Sequence, residues 1–334
     1  MVEKTGLGDP VAVTPEEKVS IRKASHLSVA EFISRYIAYV ALVVLLITFG
    51  ILAPSLFLTL SNLETVLQNS AVLSLVAVGM TFVIIAGSID LSVGSVMALS
   101  GAVAASFTVQ MNAWAFLLAV AIGAFIGLIN GVIFTKGRIP SFVVTLGMLS
   151  IARGATVIYT GGAPVPISFD SSFYIFGTPP VPFGLVIVFA VLSAFLLSYT
   201  TFGRYVYAIG GDEEKTRMHG VPVDRVKIAM FVISGAMAGI GGGVLTSQLG
   251  SGSPTSGIGF ELMAISAVVI GGTPLTGGMG SILGTVVGSL VMTVLANGLI
   301  ILGVSTNVQT ILTGVVLIFA VLVSIQRAKI KIIK

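Results

Sequence analysis

Ten apolar runs, most of them about 20 residues long, follow one another through this chain with almost no charge inside them. Twenty residues of helix rise about 30 Å, the thickness of a bilayer's hydrocarbon core, whereas a barrel strand crosses in about 10. Backbone groups in lipid must pair within their own segment, so runs of this length read as helices. Composition agrees. With 55% hydrophobic residues, 9% charged residues and a mean hydropathy of +1.09, the chain lies outside the soluble class, in which about a quarter of residues are charged. It reads as an all-α integral membrane protein with about ten transmembrane helices, at 36–56, 64–86, 92–109, 114–135, 141–160, 181–200, 228–248, 260–271, 281–303 and 307–326. The eighth run is too short to cross unaided and is expected to be a broken or partly entering helix. Pro54 breaks the chain after the first run, and Ser61-Asn62 can cap the second.

The cations give the threading direction. Sixteen of the 17 Lys and Arg residues fall in four clusters: Lys4, Lys18, Arg22, Lys23 and Arg35; Lys136 and Arg138; Arg204, Lys215, Arg217, Arg225 and Lys227; and Arg327, Lys329, Lys331 and Lys334. Cytosolic flanks carry the excess of Lys and Arg, and ten spans leave an even number between each cluster and the next. Both termini are therefore expected in the cytosol. This distribution accounts for the net charge of +4 without a nucleic-acid partner. Residues 1–35 read as a cytosolic segment, 36–326 as the membrane domain with a cytosolic loop at 201–227, and 327–334 as a basic tail. The first run has no small-residue cleavage site behind it and reads as a retained span. There is no cysteine, and His26 and His219 lie outside the spans, so no thiolate chemistry or metal site is expected.

Two glycine turns, Gly87 to Gly94 and Gly271 to Gly280, interrupt this pattern. Glycine weakens a helix and Asp90 would be expensive in lipid, so both are turns or the kind of break at which transporters open a polar path. Asp90 precedes an apolar run near the cytosolic face and is expected to cap the helix that follows. Gly87, Asp90, Ser92, Gly94, Gly271, Gly272, Thr273, Gly277 and Gly278 are the expected gate residues, acting as flexible joints on the inner side. Arg153, the cation outside the clusters, lies about 18 Å along its span. It must face a water-filled cavity, bind carbonyls or snorkel, either as an anchor or as a pathway residue. Glu261 stands in a first helical turn, where an acid complements the dipole, and joins the pathway candidates. The path is expected past the fifth, eighth and ninth runs. Gly123, Gly127 and Gly131, like Gly284 and Gly288, are spaced for close helix packing.

The loop 201–227 is expected to hold a short helix from about Asp212 to Met218, capped by Asp212 and ended by Gly220 and Pro222. Arg204, Gly210, Gly211, Asp212, Glu213, Glu214, Arg217, Gly220 and Pro222 are the candidates for docking a soluble partner. The loop 161–181, with Pro164, Pro166, Pro179 and Pro180, is expected to be extended surface. A weak repeat aligns Val96 to Val103 with Leu262 to Val269 and Ser141 with Asn307, at an offset of 166 residues, or five spans, which reverses orientation. Aligning the two glycine turns with each other, at 184, competes with it.

Gly79 to Gly94, Thr145 to Gly154, Gly210 to Gly220 and Gly271 to Gly284 together resemble the permease subunits of ATP-binding-cassette sugar importers, the ribose, xylose, arabinose and autoinducer-2 group. Ser88 stands where a second glycine is usual, and Lys215-Thr216 where small alanines are common. The resemblance spans about residues 36–326. It implies a type II importer fold like that of the vitamin B12 importer, with an inverted repeat, in the bacterial inner membrane. It also implies a second permease copy or paralogue around one path, and cytosolic ATPase subunits carrying ATP and Mg. A periplasmic or lipid-anchored binding protein would deliver the sugar. No G-x-x-x-x-G-K-[ST] loop occurs, so this chain is expected to be no enzyme and to bind no cofactor. Three alternatives remain open. A proton-coupled transporter would place titratable groups within spans, an intramembrane enzyme would need a nucleophile and base, and a branched-chain amino acid permease shares the superfamily.

Overall fold

The computed structural model describes residues 29–332, with side chains from 36 to 322. The expected N-terminal segment lies outside the described residues through residue 28, and the side chains of the basic tail lie outside them too. Every apolar run falls on a helix. They are α1 (Val29–Leu52), the single turn α2 (Pro54–Phe57), α3 (Leu60–Ile85), α4 (Val93–Ser106), α5 (Thr108–Met111), α6 (Ala115–Gly137), α7 (Ser141–Thr160), α8 (Val181–Tyr199), α9 (Thr201–Gly211), α10 (Glu213–Met218), α11 (Val223–Leu249), α12 (Phe260–Ile270), α13 (Ile282–Ile301) and α14 (Thr306–Ile332). Six helical stretches among the described residues are long and apolar enough to cross a membrane, those of α3, α6, α7, α8, α11 and α13. Shorter apolar stretches lie in α1, α4, α12 and α14.

Helix α11 is the centre of the bundle. It packs on α6, α3 and α4, and its glycines let backbones approach where side chains would separate them. A Cβ at Gly123 would strike the Gly235 carbonyl, one at Gly127 the Phe231 carbonyl, and one at Gly101 the Thr246 hydroxyl. Nearly all of α3 beyond Asn69 is buried, with Phe82, Met80 and Leu75 fully enclosed. Helices α7, α8 and α14 instead turn apolar side chains such as Ile151, Val188 and Phe319 outward, as lipid or a second subunit requires.

Adding 166 to the bounds of α3, α4, α6 and α7 gives 226–251, 259–272, 281–303 and 307–326, each within a few residues of α11, α12, α13 and α14, apart from the longer C-terminal end of α14. The contacts recur in the same pattern: α6 lies on α11 as α13 lies on α3, α4 on α11 as α12 on α3, and α4 on α7 as α12 on α14. An offset of 184 carries α3 to 244–269, across a break between helices.

Three local expectations change. Thr59, not Ser61 or Asn62, caps α3, its hydroxyl accepting from the Asn62 N–H at 3.2 Å. The loop 161–181 is partly folded into the protein. Val165–Pro166 pairs antiparallel with Ser251–Gly252, and a 3-10 turn at Ser172–Gly177 buries Phe173 and stacks Phe176 on Phe116. Aromatic burial outweighs the prolines there. Most of 201–227 is helical, because Phe202, Tyr205, Val206 and Ile209 recur at helical spacing and give α9 an inward face.

Candidate functional site

Helices α4 and α12, of 14 and 11 residues, rise only about 21 and 16 Å, so neither is long enough to cross the hydrocarbon core by itself. Their N-termini meet inside the bundle. A Cβ at Gly94 would strike the Gly257 carbonyl and lie 2.6 Å from Glu261 Oε2, and a Cβ at Gly257 would strike the Gly94 carbonyl. The positive ends of two helix dipoles therefore converge on one place, where the Gly259 and Glu261 N–H groups donate to the Glu261 carboxylate.

Asp90 lies directly beneath this crossing and is 1% exposed. Its Oδ1 accepts from the Ser92 N–H at 3.0 Å and the Ser92 hydroxyl at 2.6 Å, and its Oδ2 accepts from Ser234 Oγ at 2.8 Å. Asn130 Nδ2 donates to Ser92 Oγ at 2.9 Å, which extends the network to α6. Ser234 is the twelfth residue of α11, about 16 Å from the start of that helix. Asp90 is buried because the break turns back into the bundle, where Ser141 and Thr145 at the start of α7 bind the Ile89 backbone. The expectation that it caps α4 is corrected: α4 begins after Ser92, and Asp90 holds the Ser92 N–H from two residues upstream.

Arg153, half-buried on α7, donates through Nη1 to the Pro254 and Ser256 carbonyls at 2.6 and 2.8 Å. It thus pins the segment that delivers Gly257 to the crossing, and it interacts electrostatically with Glu261 in the first turn of α12. Asp90, Ser92, Gly94, Arg153 and Glu261 form one neighbourhood.

The remaining gate candidates lie lower, where both glycine turns meet the loop between α8 and α11. The Gly278 N–H donates to the Ile85 carbonyl at 2.8 Å. A Cβ at Gly277 would lie 2.7 Å from the Gly87 nitrogen, and one at Gly210 would overlap the Ile85 carbonyl and come within 2.5 Å of the Gly278 nitrogen. Gly277 and Gly278 also hold positive φ, 78° and 77°, which a side chain would resist. Tyr207 Oη donates to the Gly280 carbonyl at 3.0 Å, so α9 is tied to the same turn. Gly271 packs on Gly284 of α13, Gly272 turns with positive φ, and Thr273 is fully buried with its hydroxyl unpaired.

Asp212 caps α10, accepting from the Lys215 N–H at 3.0 Å. That bond and the Lys215 ammonium hold its carboxyl below the usual range, while the Asp212 carboxylate holds Lys215 above its own. Gly220 ends the helix in the left-handed region and Pro222 precedes α11. Arg204, Gly211, Glu214 and Pro222 are exposed. Glu213 and Arg217 instead turn toward α11: Arg217 binds Glu213 at 3.3 Å and Asp224 at 2.9 Å, and Lys227 binds Glu213 at 2.5 Å. Asn130, Ser234 and Lys227 were not among the sequence candidates. Asn130 was visible as an amide inside an apolar run; Ser234 looked like any small residue in a glycine-rich helix.

The family described as branched-chain amino acid transport system / permease component matches residues 62–321. The chain is similar to the ribose import permease protein RbsC of Escherichia coli (strain K12), with 43% identity over 294 residues, covering 85% of this chain and 91% of that protein. It is also similar to the L-arabinose ABC transporter permease protein AraH of Azospirillum brasilense, 36% identical over 320 residues and 94% of each chain. To the D-allose transport system permease protein AlsC of Escherichia coli (strain K12) it is 36% identical over 301 residues, 87% of this chain and 92% of that one. No solved structure matches the chain significantly.

Proposed function

The chain belongs to this permease family, and on that premise we infer that it is the membrane subunit of an ATP-binding-cassette importer that carries a monosaccharide. It is a multi-pass inner-membrane protein, and it is not an enzyme: the ATPase is a separate subunit. The relatives are named for sugars rather than for amino acids, which favours sugar over the amino-acid alternative.

Within that function, the observation that carries the mechanism is the meeting of α4 and α12, N-terminus to N-terminus, beside Asp90 and Arg153. Half-helices that meet inside a membrane present N–H donors to a polar solute without a lipid-exposed charge. We assign the gate to this crossing and to the glycine junction below it, where Gly210 connects both breaks to the coupling loop. The matching order and contacts of α3, α4, α6, α7 and α11 to α14 support an inverted repeat in a ten-span type II fold. The outward apolar faces of α7 and α14 suit a second permease copy or paralogue. Both termini face the cytosol in this reading, ATP and Mg belong to the partner ATPase docked on α10, and an external binding protein delivers the sugar.

Uptake into vesicles containing this chain, its ATPase and its binding protein tests the assignment. ATP-dependent accumulation of a labelled pentose or hexose from a panel is expected. Accumulation of leucine or isoleucine with no sugar uptake would overturn it.

A further inference from the structure

The charges that join α10 to α11 do not all look outward. Lys227 is 7% exposed, with its ammonium 2.5 Å from Glu213 Oε2 and 4.5 Å above the centre of the Phe134 ring of α6. A buried ammonium without a partner is costly, so this pair holds α10 against the bundle in one geometry. Arg217 adds a second tie to Asp224, and Lys136 of α6 reaches the same carboxylate at 3.6 Å. Lys227 and Ser234 stand seven residues apart on α11, two turns along one helix face. Ser234 is the residue that binds Asp90. The α6 and α11 backbones are in contact along this stretch, with Gly131 against Ile228 and Gly127 against Phe231, so the two helices move as one body.

We propose that Lys227 is the positioning residue that converts movement of the coupling helix α10 into movement of α11, and through Ser234 into the Asp90 break beneath the α4 and α12 crossing. The proposal rests on the importer reading above. It assigns Glu213 and Arg217 two faces, one toward the ATPase and one toward α11, and it makes the ion pair a mechanical link rather than a docking contact.

The test uses the assembled transporter in vesicles, with ATP hydrolysis and sugar uptake measured together and normalised to permease in the membrane. Lys227→Met keeps the ATPase bound and hydrolysing, while sugar moved per ATP falls roughly tenfold or more, the scale of a strong coupling between sites. Reversing the pair, Glu213→Lys with Lys227→Glu, restores much of that ratio. A merely structural lysine would lower abundance and hydrolysis together and leave the ratio unchanged, and an unchanged ratio overturns the proposal. The chain contains no cysteine, so spin labels at Ile151→Cys and Ile258→Cys report the crossing directly. ATP binding changes their separation in the parent and leaves it fixed in Lys227→Met; an equal change in both overturns the link. A parent complex that transports no sugar defeats the importer reading, and the label distances still decide the link.

Discussion

Asp90 and the α10 loop hold charge in opposite ways. Asp90 is enclosed and held by three neutral donors from two elements, whereas the loop's Glu213, Arg217, Lys215 and Asp212 are half-exposed and pair with one another. A buried carboxylate held by three donors is expensive to disturb, because each donor it leaves behind remains dry and unpaired. Exposed pairs are screened by water and salt and contribute little to stability. The first arrangement fixes a geometry; the second lets a surface be reshaped by a partner. Lys227 stands between them as the buried end of an exposed network.

The sharpest test of this contrast is Asp90→Ala. It strands the Ser92 N–H and the hydroxyls of Ser92 and Ser234, and a loss of about 3 kcal/mol or more is expected. This should appear as a lower melting midpoint of the purified protein and poor recovery from the membrane. Asp90→Asn keeps one acceptor and should lie between. Equal midpoints for Asp90→Ala and the parent would erase the distinction between the two regions. Gly210→Ala comes next: the new methyl overlaps the Ile85 carbonyl, a backbone atom that cannot swing away. Overpacking of this kind costs about 1–3 kcal/mol, and uptake should fall further than stability because both breaks meet there. Arg153→Ala removes charged donors from two carbonyls, for roughly 1–2 kcal/mol after solvent screening. Transport should fall, with Arg153→Lys partly active, while unchanged uptake at normal abundance would leave Arg153 an anchor alone. Replacing Glu213, Glu214 and Arg217 together should barely move the midpoint and should abolish ATP-driven uptake; normal uptake would sink the docking assignment.

The membrane helices were legible because apolar length alone specifies them, and even the shortness of α12 could be read from its eleven residues. The α10 cap was legible for a similar reason, since Asp212, Gly220 and Pro222 act on their own neighbours. The position of Asp90 was not. Its burial depends on Ser141, Ser234 and Asn130, which lie 40 to 144 residues away, and nothing local to Gly87–Gly94 announces that the break folds inward. The contacts of Gly210 with Gly278 and of Gly277 with Gly87 were hidden likewise, because glycines with no side chain leave no pattern by which to match partners. Helix α9 carries a helical signal of its own in the spacing of Phe202, Tyr205, Val206 and Ile209, but the glycines and charges around them favour a loop reading.

The smallest effect expected is the response of α10 to pH, and it follows from the signs of two shifts. Asp212 is held low, first by the Lys215 N–H and then by the Lys215 side chain, so its contribution is present above the unfolded carboxylate value of about 3.9 and is lost as pH falls through its folded value. Lys215 is held high by Asp212, so its contribution is present below about 10.4 and is lost as pH rises through its folded value. The coupling helix should therefore be insensitive to pH across roughly 5 to 9, the range in which both charges persist. A spin label at Met218→Cys, an exposed position at the end of α10, should show constant mobility over that range. Asp212→Asn, which still caps, should change it little, and Asp212→Ala should loosen it at every pH. A mobility step inside that range in the parent would show that a charge other than this pair controls α10. The exposed network would then be a sensor, and its contrast with the enclosed Asp90 would be one of regulation as well as rigidity.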